Sequence, residues 1–228
     1  MAKSEVWSRI EEIGIIPSIR TPSTAGALFA AQAVFRAGIP IVEVTMTVPD
    51  AVAVIGELVR TTPGLIVGAD SAWDLESARQ AVTAGARFVT SPGDARAIME
   101  FVHDKGIVVI PGALTPSEIG AAWQAGADFV KVFPCAAVGG PSYLRALRRP
   151  FPTIPLIASG GVNQVTAAEY VVAGALAIGV STSLIPEEAV LSRNEEWIAE
   201  LARRFVGIVG GARRSAPRTT PRTRGEAS

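Results

Sequence analysis

Short apolar runs alternate with longer segments of helical periodicity along most of this chain of 228 residues. Helix-like segments such as those at 24–37, 50–61, 75–84 and 115–125 lie between the runs. Repeated strand–helix units of this kind build a parallel sheet with helices packed against it. The alternation therefore predicts an α/β fold, with strands near 15–19, 40–46, 65–69, 87–91, 107–111, 128–133, 154–158 and 175–180.

Eight strands in a chain of this length favour a closed (β/α)₈ TIM barrel over an open doubly wound sheet, which usually has fewer strands. We predict a single barrel domain over residues 1–211, with a helix before the first strand. Residues 212–228 are rich in Arg, Pro, Ser and Thr and contain almost no large apolar residue. We expect this basic tail to be disordered, because it cannot bury a core.

The composition excludes several kinds of partner. The chain has 21 basic and 21 acidic residues, so it has no overall field that would attract nucleic acid or an anionic membrane. One Cys and one His leave few soft ligands, and we predict no metal site. The N-terminal segment lacks the apolar core of a signal peptide, and no apolar stretch is long enough to span a bilayer. We expect a cytoplasmic protein without nucleic-acid or membrane partners.

A lysine stands inside the sixth apolar run, which reads ADFVKVFPC. Strand alternation places Phe129, Lys131 and Phe133 on one face and Val130 and Val132 on the other. Since the valines suit the face that packs on helices, we expect Lys131 to point into the barrel. Burial disfavours the ammonium form and leaves some free amine as a nucleophile. The alternative is a lysine that reaches out from a strand end or pairs with a buried carboxylate.

The second run, IPIVEVTMT, places an acidic residue in the same way. Ile41, Glu43 and Thr45 share one face, so we expect Glu43 to point inward as well. Two interpretations are open. Glu43 forms a structural ion pair with Lys131, or it acts as a general acid/base beside it.

Glycines and hydroxyl residues follow the seventh and eighth runs, where barrels frequently bind phosphate through backbone N–H groups. ASGGV contains Gly160 and Gly161, and GVSTSL contains Ser181, Thr182 and Ser183. Both motifs are common in turns. Their placement after these two strands is what predicts a phosphate site.

Taken together, the motifs resemble those of the class I 2-keto-3-deoxy-6-phosphogluconate (KDPG) aldolases and the related 4-hydroxy-2-oxoglutarate aldolases. The resemblance extends from about Ile15 to Pro186 and rests on IVEVTMTVPDAV, IVGAD, FVTSPG, VIPGALTPSEI, FVKVFP, ASGGV and GVSTSL, in this order. It implies a homotrimeric lyase of carbohydrate metabolism that needs no cofactor. Lys131 would form the Schiff base and Glu43 would transfer protons. The small 2-oxo acid substrate would lie among Arg20, Ser71, Pro92, Phe133 and Ser159.

Two positions depart from the pattern of this family. Thr47 stands where members that cleave the phosphogluconate substrate usually carry Arg, and strand parity assigns Thr47 to the substrate-binding set. Asp70, in VGADS, stands where the family commonly has Gly. Both changes concern the identity of the substrate and whether it is phosphorylated. Two other functions compete: a phosphate-binding barrel isomerase or epimerase, which leaves Lys131 unexplained, and a barrel without turnover that serves as a binding module.

Overall fold

Nine β-segments form one parallel sheet that closes into a barrel. The computed structural model describes residues 1–215. The order of the segments around the sheet is β5-β4-β3-β2-β1-β9-β8-β7-β6, and every pair is parallel. The segments are β1 (Ile15–Ile19), β2 (Ile41–Thr45), β3 (Ile66–Asp70), β4 (Phe88–Thr90), β5 (Val108–Ile110), β6 (Gly112–Ala113), β7 (Val130–Val132), β8 (Leu156–Ala158) and β9 (Ala177–Val180). The predicted α/β barrel is confirmed.

The fifth barrel strand is divided between β5, which pairs with β4, and β6, which pairs with β7. Pro111 separates the two segments, and its ring leaves no N–H to donate to a ladder. Its carbonyl still accepts a hydrogen bond from the Lys131 N–H at 2.9 Å, so the barrel closes through this residue. A Cβ at Gly112 would lie 2.4 Å from the backbone of Pro92, which explains why glycine follows the proline.

Ten α-helices are present in residues 1–215, most of them between strands, and two helix starts follow from the local sequence. The side chain of Ser23 accepts a hydrogen bond from the N–H of Gly26 and so caps the second helix. Thr115 and Glu118 form a capping box with Pro116 in the first turn. The helices are α1 (Lys3–Ile13), α2 (Thr24–Arg36), α3 (Ala51–Thr61), α4 (Leu75–Thr83), α5 (Arg96–Val102), α6 (Pro116–Ala125), α7 (Gly140–Arg148), α8 (Ala167–Val172), α9 (Glu187–Leu191) and α10 (Glu195–Ser215).

The first and last helices meet near the amino-terminal ends of the strands. The ring of Trp7 stacks on Phe129, with 5.1 Å between the centroids. Arg213 donates to the carbonyls of Glu12 at 2.6 Å and Leu176 at 2.7 Å. Helix α10 therefore includes residues 212–215 of the predicted tail, and the remainder, 216–228, lies outside the described residues. Within residues 1–215, no helix is both long and apolar enough to cross a membrane.

Candidate active site

Lys131 and Glu43 line one cavity in the interior of the barrel. Lys131 lies at the centre of β7 and Glu43 at the centre of β2. Their relative exposures are only 6% and 2%. The cavity also contains Thr90, and its remaining wall consists of Ile16, Ile110, Ile157 and Gly179. Two ionisable side chains thus share a largely apolar pocket, where electrostatic interactions are stronger than in water.

The amine of Lys131 is paired with Asp70, the last residue of β3. Nζ donates to Oδ1 at 2.7 Å, and both side chains are almost fully buried. Thr45 and Ser71 each lie with a hydroxyl oxygen 3.3 Å from the other carboxylate oxygen, Oδ2. Nζ also lies 5.7 Å from the centroid of the Phe133 ring. The buried carboxylate that the alternative for Lys131 required is therefore Asp70.

Glu43 is held by hydroxyl groups. Ser18 donates to Oε1, and Thr90 donates to Oε2 at 2.8 Å. Burial, and after it the negative charge of Asp70, raise the pKa of Glu43 to about 7. The charge of Lys131 and the two hydroxyl donors oppose this shift. A carboxyl group with a pKa near 7 can both donate and accept a proton at neutral pH, as general acid/base catalysis requires.

The two loops predicted to bind phosphate follow β8 and β9. Gly160 and Gly161 have φ values of 84° and 83°, a conformation that L-residues with side chains rarely adopt. A Cβ at Gly161 would lie 2.4 Å from the Cβ of Ala136. Ser181 donates to the carbonyl of Ser18 at 3.1 Å, which ties the last loop to the first strand. Thr182 is exposed and Ser183 is half-buried.

Most of the remaining predicted residues lie at the carboxyl ends of strands. Arg20 is exposed directly after β1, and Ser159 is buried directly after β8. Ser71 follows β3 with a φ of 60°. Pro92 and Phe133 line a second cavity of about 270 Å³, together with residues of β6 and α6.

Thr47 lies beyond the end of the strand on which its predicted direction was based. Strand β2 ends at Thr45, and Thr47 is exposed in the turn that follows. Alternation between two faces holds only within a strand, so it does not fix the direction of this side chain.

Three partners were not predicted from the sequence: Ser18 and Thr90, which bond to Glu43, and Asp70, which bonds to Lys131. Ser18 and Thr90 stand in the predicted first and fourth strands, where their inward parity was the available signal. The residues from 1 to 215 contain no group of three or more His, Cys, Asp or Glu that could hold a metal ion.

The family model and the sequence relatives agree on one family. The sequence model of the family "KDPG and KHG aldolase" matches residues 6–201. The KHG/KDPG aldolase of Escherichia coli K12 is 30% identical over 193 residues, which is 84% of this chain and 90% of the relative. A probable 2-dehydro-3-deoxy-6-phosphogalactonate aldolase of Rhizobium meliloti is 33% identical over 202 residues, 87% of this chain and 93% of the relative.

A solved structure extends this likeness to three dimensions. It is the KDPG aldolase of Legionella pneumophila, with pyruvate captured at low pH as a covalent carbinolamine intermediate. It is 31% identical, covers 86% of this chain and 95% of its own, and superposes with a TM-score of 0.80.

Proposed function

We propose, because this chain belongs to the KDPG and KHG aldolase family, that Lys131 forms the Schiff base of its reaction. The chain is a class I aldolase, a lyase that acts on small molecules. The observation that carries the assignment is a buried lysine on the inner face of β7, in a cavity that it shares with Glu43. The carbinolamine that the Legionella protein forms with pyruvate supports it, since a carbinolamine precedes a Schiff base.

The reaction begins when the free amine of Lys131 attacks the 2-oxo carbon of the substrate. Loss of water from the carbinolamine gives a protonated imine, which withdraws electrons from C3. Glu43, acting through a water molecule, removes the proton of the 4-hydroxyl group, and the C3–C4 bond breaks. An aldehyde leaves, the enamine of pyruvate takes up a proton at C3, and hydrolysis of the imine releases pyruvate.

The substrate we propose is a 2-keto-3-deoxy sugar acid, phosphorylated or not, or a 4-hydroxy-2-oxo acid. The names of the relatives include both classes. We assign Gly160, Gly161 and Ser181–Ser183 to the phosphate, because these loops directly follow β8 and β9 and because Thr182 and Ser183 supply hydroxyl donors. Contacts to the rest of the substrate come from Arg20, Thr47, Ser71, Pro92, Phe133 and Ser159.

The competing functions are not favoured. An isomerase or epimerase would share the glycine and serine loops, but the family match is to aldolases and covers most of the chain. A binding module without turnover would not need a nucleophile and a protonatable carboxyl group in one buried cavity. The homotrimer, the cytoplasmic location and the absence of a cofactor stay predictions.

Borohydride trapping tests the role of Lys131. The chain has three lysines, Lys3, Lys105 and Lys131, so the site of labelling can be assigned without ambiguity. After treatment with pyruvate and borohydride, mass spectrometry should find the reduced adduct on the peptide that contains Lys131. Lys131→Ala should give no adduct, whereas Lys105→Arg, on the outside of the barrel, should be labelled like the parent.

A retro-aldol assay coupled to pyruvate detection tests the substrate class. The panel should contain 2-keto-3-deoxy-6-phosphogluconate, its unphosphorylated form and 4-hydroxy-2-oxoglutarate. Labelling at another lysine, or release of pyruvate by Lys131→Ala at the parent rate, would exclude the proposed mechanism.

A further inference from the structure

Asp70 is the carboxylate that touches the reacting nitrogen. Its Oδ1 lies 2.7 Å from Nζ of Lys131, and the relative exposures of the two side chains are 5% and 7%. Buried ion pairs contribute little to stability, because desolvation of both charges offsets their attraction. Replacing a buried ion pair by packed apolar side chains is often neutral or even stabilising. The pair therefore calls for a chemical explanation.

The carboxylate of Asp70 is held in a fixed orientation. Hydroxyl groups of Thr45 and Ser71 lie 3.3 Å from Oδ2, which leaves Oδ1 directed at the amine. Thr45 is the cross-strand partner of Asp70 in the β2–β3 ladder. Ser71 adopts a φ of 60°, which is rare for a residue with a side chain and costs free energy. The backbone is thus strained at the residue that helps to orient this carboxylate.

Glu43 and Asp70 divide the charge of the cavity between them. Glu43 lines the same pocket as Lys131, and Asp70 contacts Nζ of Lys131 from the end of β3. Burial and the negative charge of Asp70 raise the pKa of Glu43 to about 7, so Glu43 is substantially protonated at neutral pH. Asp70 then supplies the negative charge that balances Lys131. Two carboxyl groups in different environments can perform two different proton transfers.

We propose that Asp70 is a catalytic residue of Schiff-base formation, which takes a proton from Lys131 and returns it to the hydroxyl group that leaves the carbinolamine. The proposal rests on the proposed function, in which Lys131 forms the imine. It assigns proton transfer at nitrogen to Asp70 and leaves proton transfer at the sugar hydroxyl to Glu43.

The proton balance closes over the step. The ammonium of Lys131 gives one proton to Asp70, and the free amine attacks the 2-oxo carbon as the carbonyl electron pair moves to oxygen. A proton passes from nitrogen to that oxygen, which gives the neutral carbinolamine. Asp70 then protonates the hydroxyl group, water leaves, and the nitrogen lone pair forms the C=N bond. An ammonium beside a carboxylate has become an iminium beside the same carboxylate.

The test measures the rate at which the full-length protein forms a reducible imine with pyruvate, by trapping with cyanoborohydride over time. Asp70→Asn keeps the size of the side chain but cannot accept the proton, so imine formation should slow by about 10²- to 10⁴-fold. Asp70→Gly should be slow as well, and added formate should restore part of its rate by supplying a carboxylate. If Asp70→Asn fails to fold, Asp70→Gly with and without formate gives the same comparison.

A second measurement separates the two carboxyl groups. Exchange of the methyl protons of pyruvate with deuterated water reports formation of the enamine. Glu43→Gln should form the trapped imine at nearly the parent rate but lose exchange of the methyl protons. Asp70→Asn should lower the rate of imine trapping and the rate of exchange by the same factor. A structural defect at the amine alone would not respond to formate.

The outcomes distinguish the proposal from its premise. No adduct at Lys131 in the parent would overturn the proposed function itself. An adduct in the parent together with trapping by Asp70→Asn at the parent rate or faster would overturn the role of Asp70 alone. A rate in Asp70→Gly that formate leaves unchanged would contradict it as well.

Discussion

At Glu43, the fold keeps a proton on a carboxyl group that the unfolded chain would release. Its ordinary pKa is 4.5, and the folded value is about 7. Between these values the native state binds a proton that the unfolded state does not. The free energy of unfolding therefore decreases as the pH rises through this interval. The contribution is fully present below the unfolded pKa and is lost above the folded one.

Glu43→Gln should remove this dependence on pH, since an amide does not titrate. Ser18 and Thr90 can still pair with it, because a hydroxyl group both donates and accepts. Between about pH 5 and about pH 8, the free energy of unfolding of the parent should fall by on the order of 3 kcal/mol through this group. That of Glu43→Gln should not show this decrease. Urea unfolding at several pH values measures the difference, with the exposed Glu188→Gln as a control that follows the parent. Equal slopes in all three proteins would show that the fold does not hold this proton.

Strand alternation predicted the direction of the two central residues of the site but not their partners. Glu43 and Lys131 both line the interior cavity, as the spacing of polar residues in β2 and β7 indicated. Whether Lys131 contacts Glu43 or Asp70 depends on the register of three strands around the barrel. The alternation within a single strand does not give that register. Alternation does not extend to Thr47, because β2 ends at Thr45 and a turn begins at Met46.

At the scale of elements, the fifth strand is where prediction and structure differ most. The run at 107–111 predicted one strand, and the other predicted strands match observed ones within a few residues. The observed strand stops at Ile110 and resumes at Gly112, because Pro111 cannot donate to the ladder. The apolar run therefore predicted the strand correctly, and Pro111 is the residue at which the strand is interrupted.

Gly112→Ala should weaken the closure of the barrel at this strand. The new Cβ would lie 2.4 Å from the carbonyl carbon and oxygen of Pro92, which are backbone atoms with little freedom to move. We expect a loss of about 1–3 kcal/mol in the free energy of unfolding, typical of overpacking. Gly120→Ala in α6 is the matched control, since the new Cβ would lie 3.9 Å from the ring of Phe151 and alanine favours a helix over glycine by about 1 kcal/mol. Urea unfolding compares the two, and a fully stable Gly112→Ala would refute the argument.

At the scale of the whole molecule, the two ends of the described chain are in contact near the amino-terminal ends of the strands. The guanidinium of Arg213 fills the space beside Gly14 and bonds to the carbonyls of Glu12 and Leu176. The composition of the tail gave no sign of this contact, since an arginine in a polar segment ordinarily predicts solvent exposure. The contact becomes visible only when α10 lies against α1 and the last strands.

Truncation should therefore give different results at two nearby positions. A chain that ends at Ser215 should keep the activity and stability of the parent, because residues 216–228 have the composition of a tail without a core. A chain that ends at Gly211 loses Arg213 and should be less stable by roughly 1.5–3 kcal/mol, as expected for hydrogen bonds from a charged group. Thermal or urea unfolding, with pyruvate release as the activity assay, measures both chains.

Two substitutions in the full chain assign the effect to one side chain. Arg213→Ala should reproduce most of the loss, whereas Arg214→Ala, at an exposed neighbouring position, should not. Equal stability of the two truncated chains would mean that the contact contributes nothing.

The pairing of β1 with β9 also sets the order of events while the protein is being made. Ile15 is the register partner of Ile178 in the β1–β9 ladder. Strand β1 therefore cannot pair with β9 until most of the chain has left the ribosome. During that time β1 presents an open edge, and open edges pair readily with strands of other chains. The completed β9 covers this edge, so the barrel exposes less unpaired backbone than the unfinished chain.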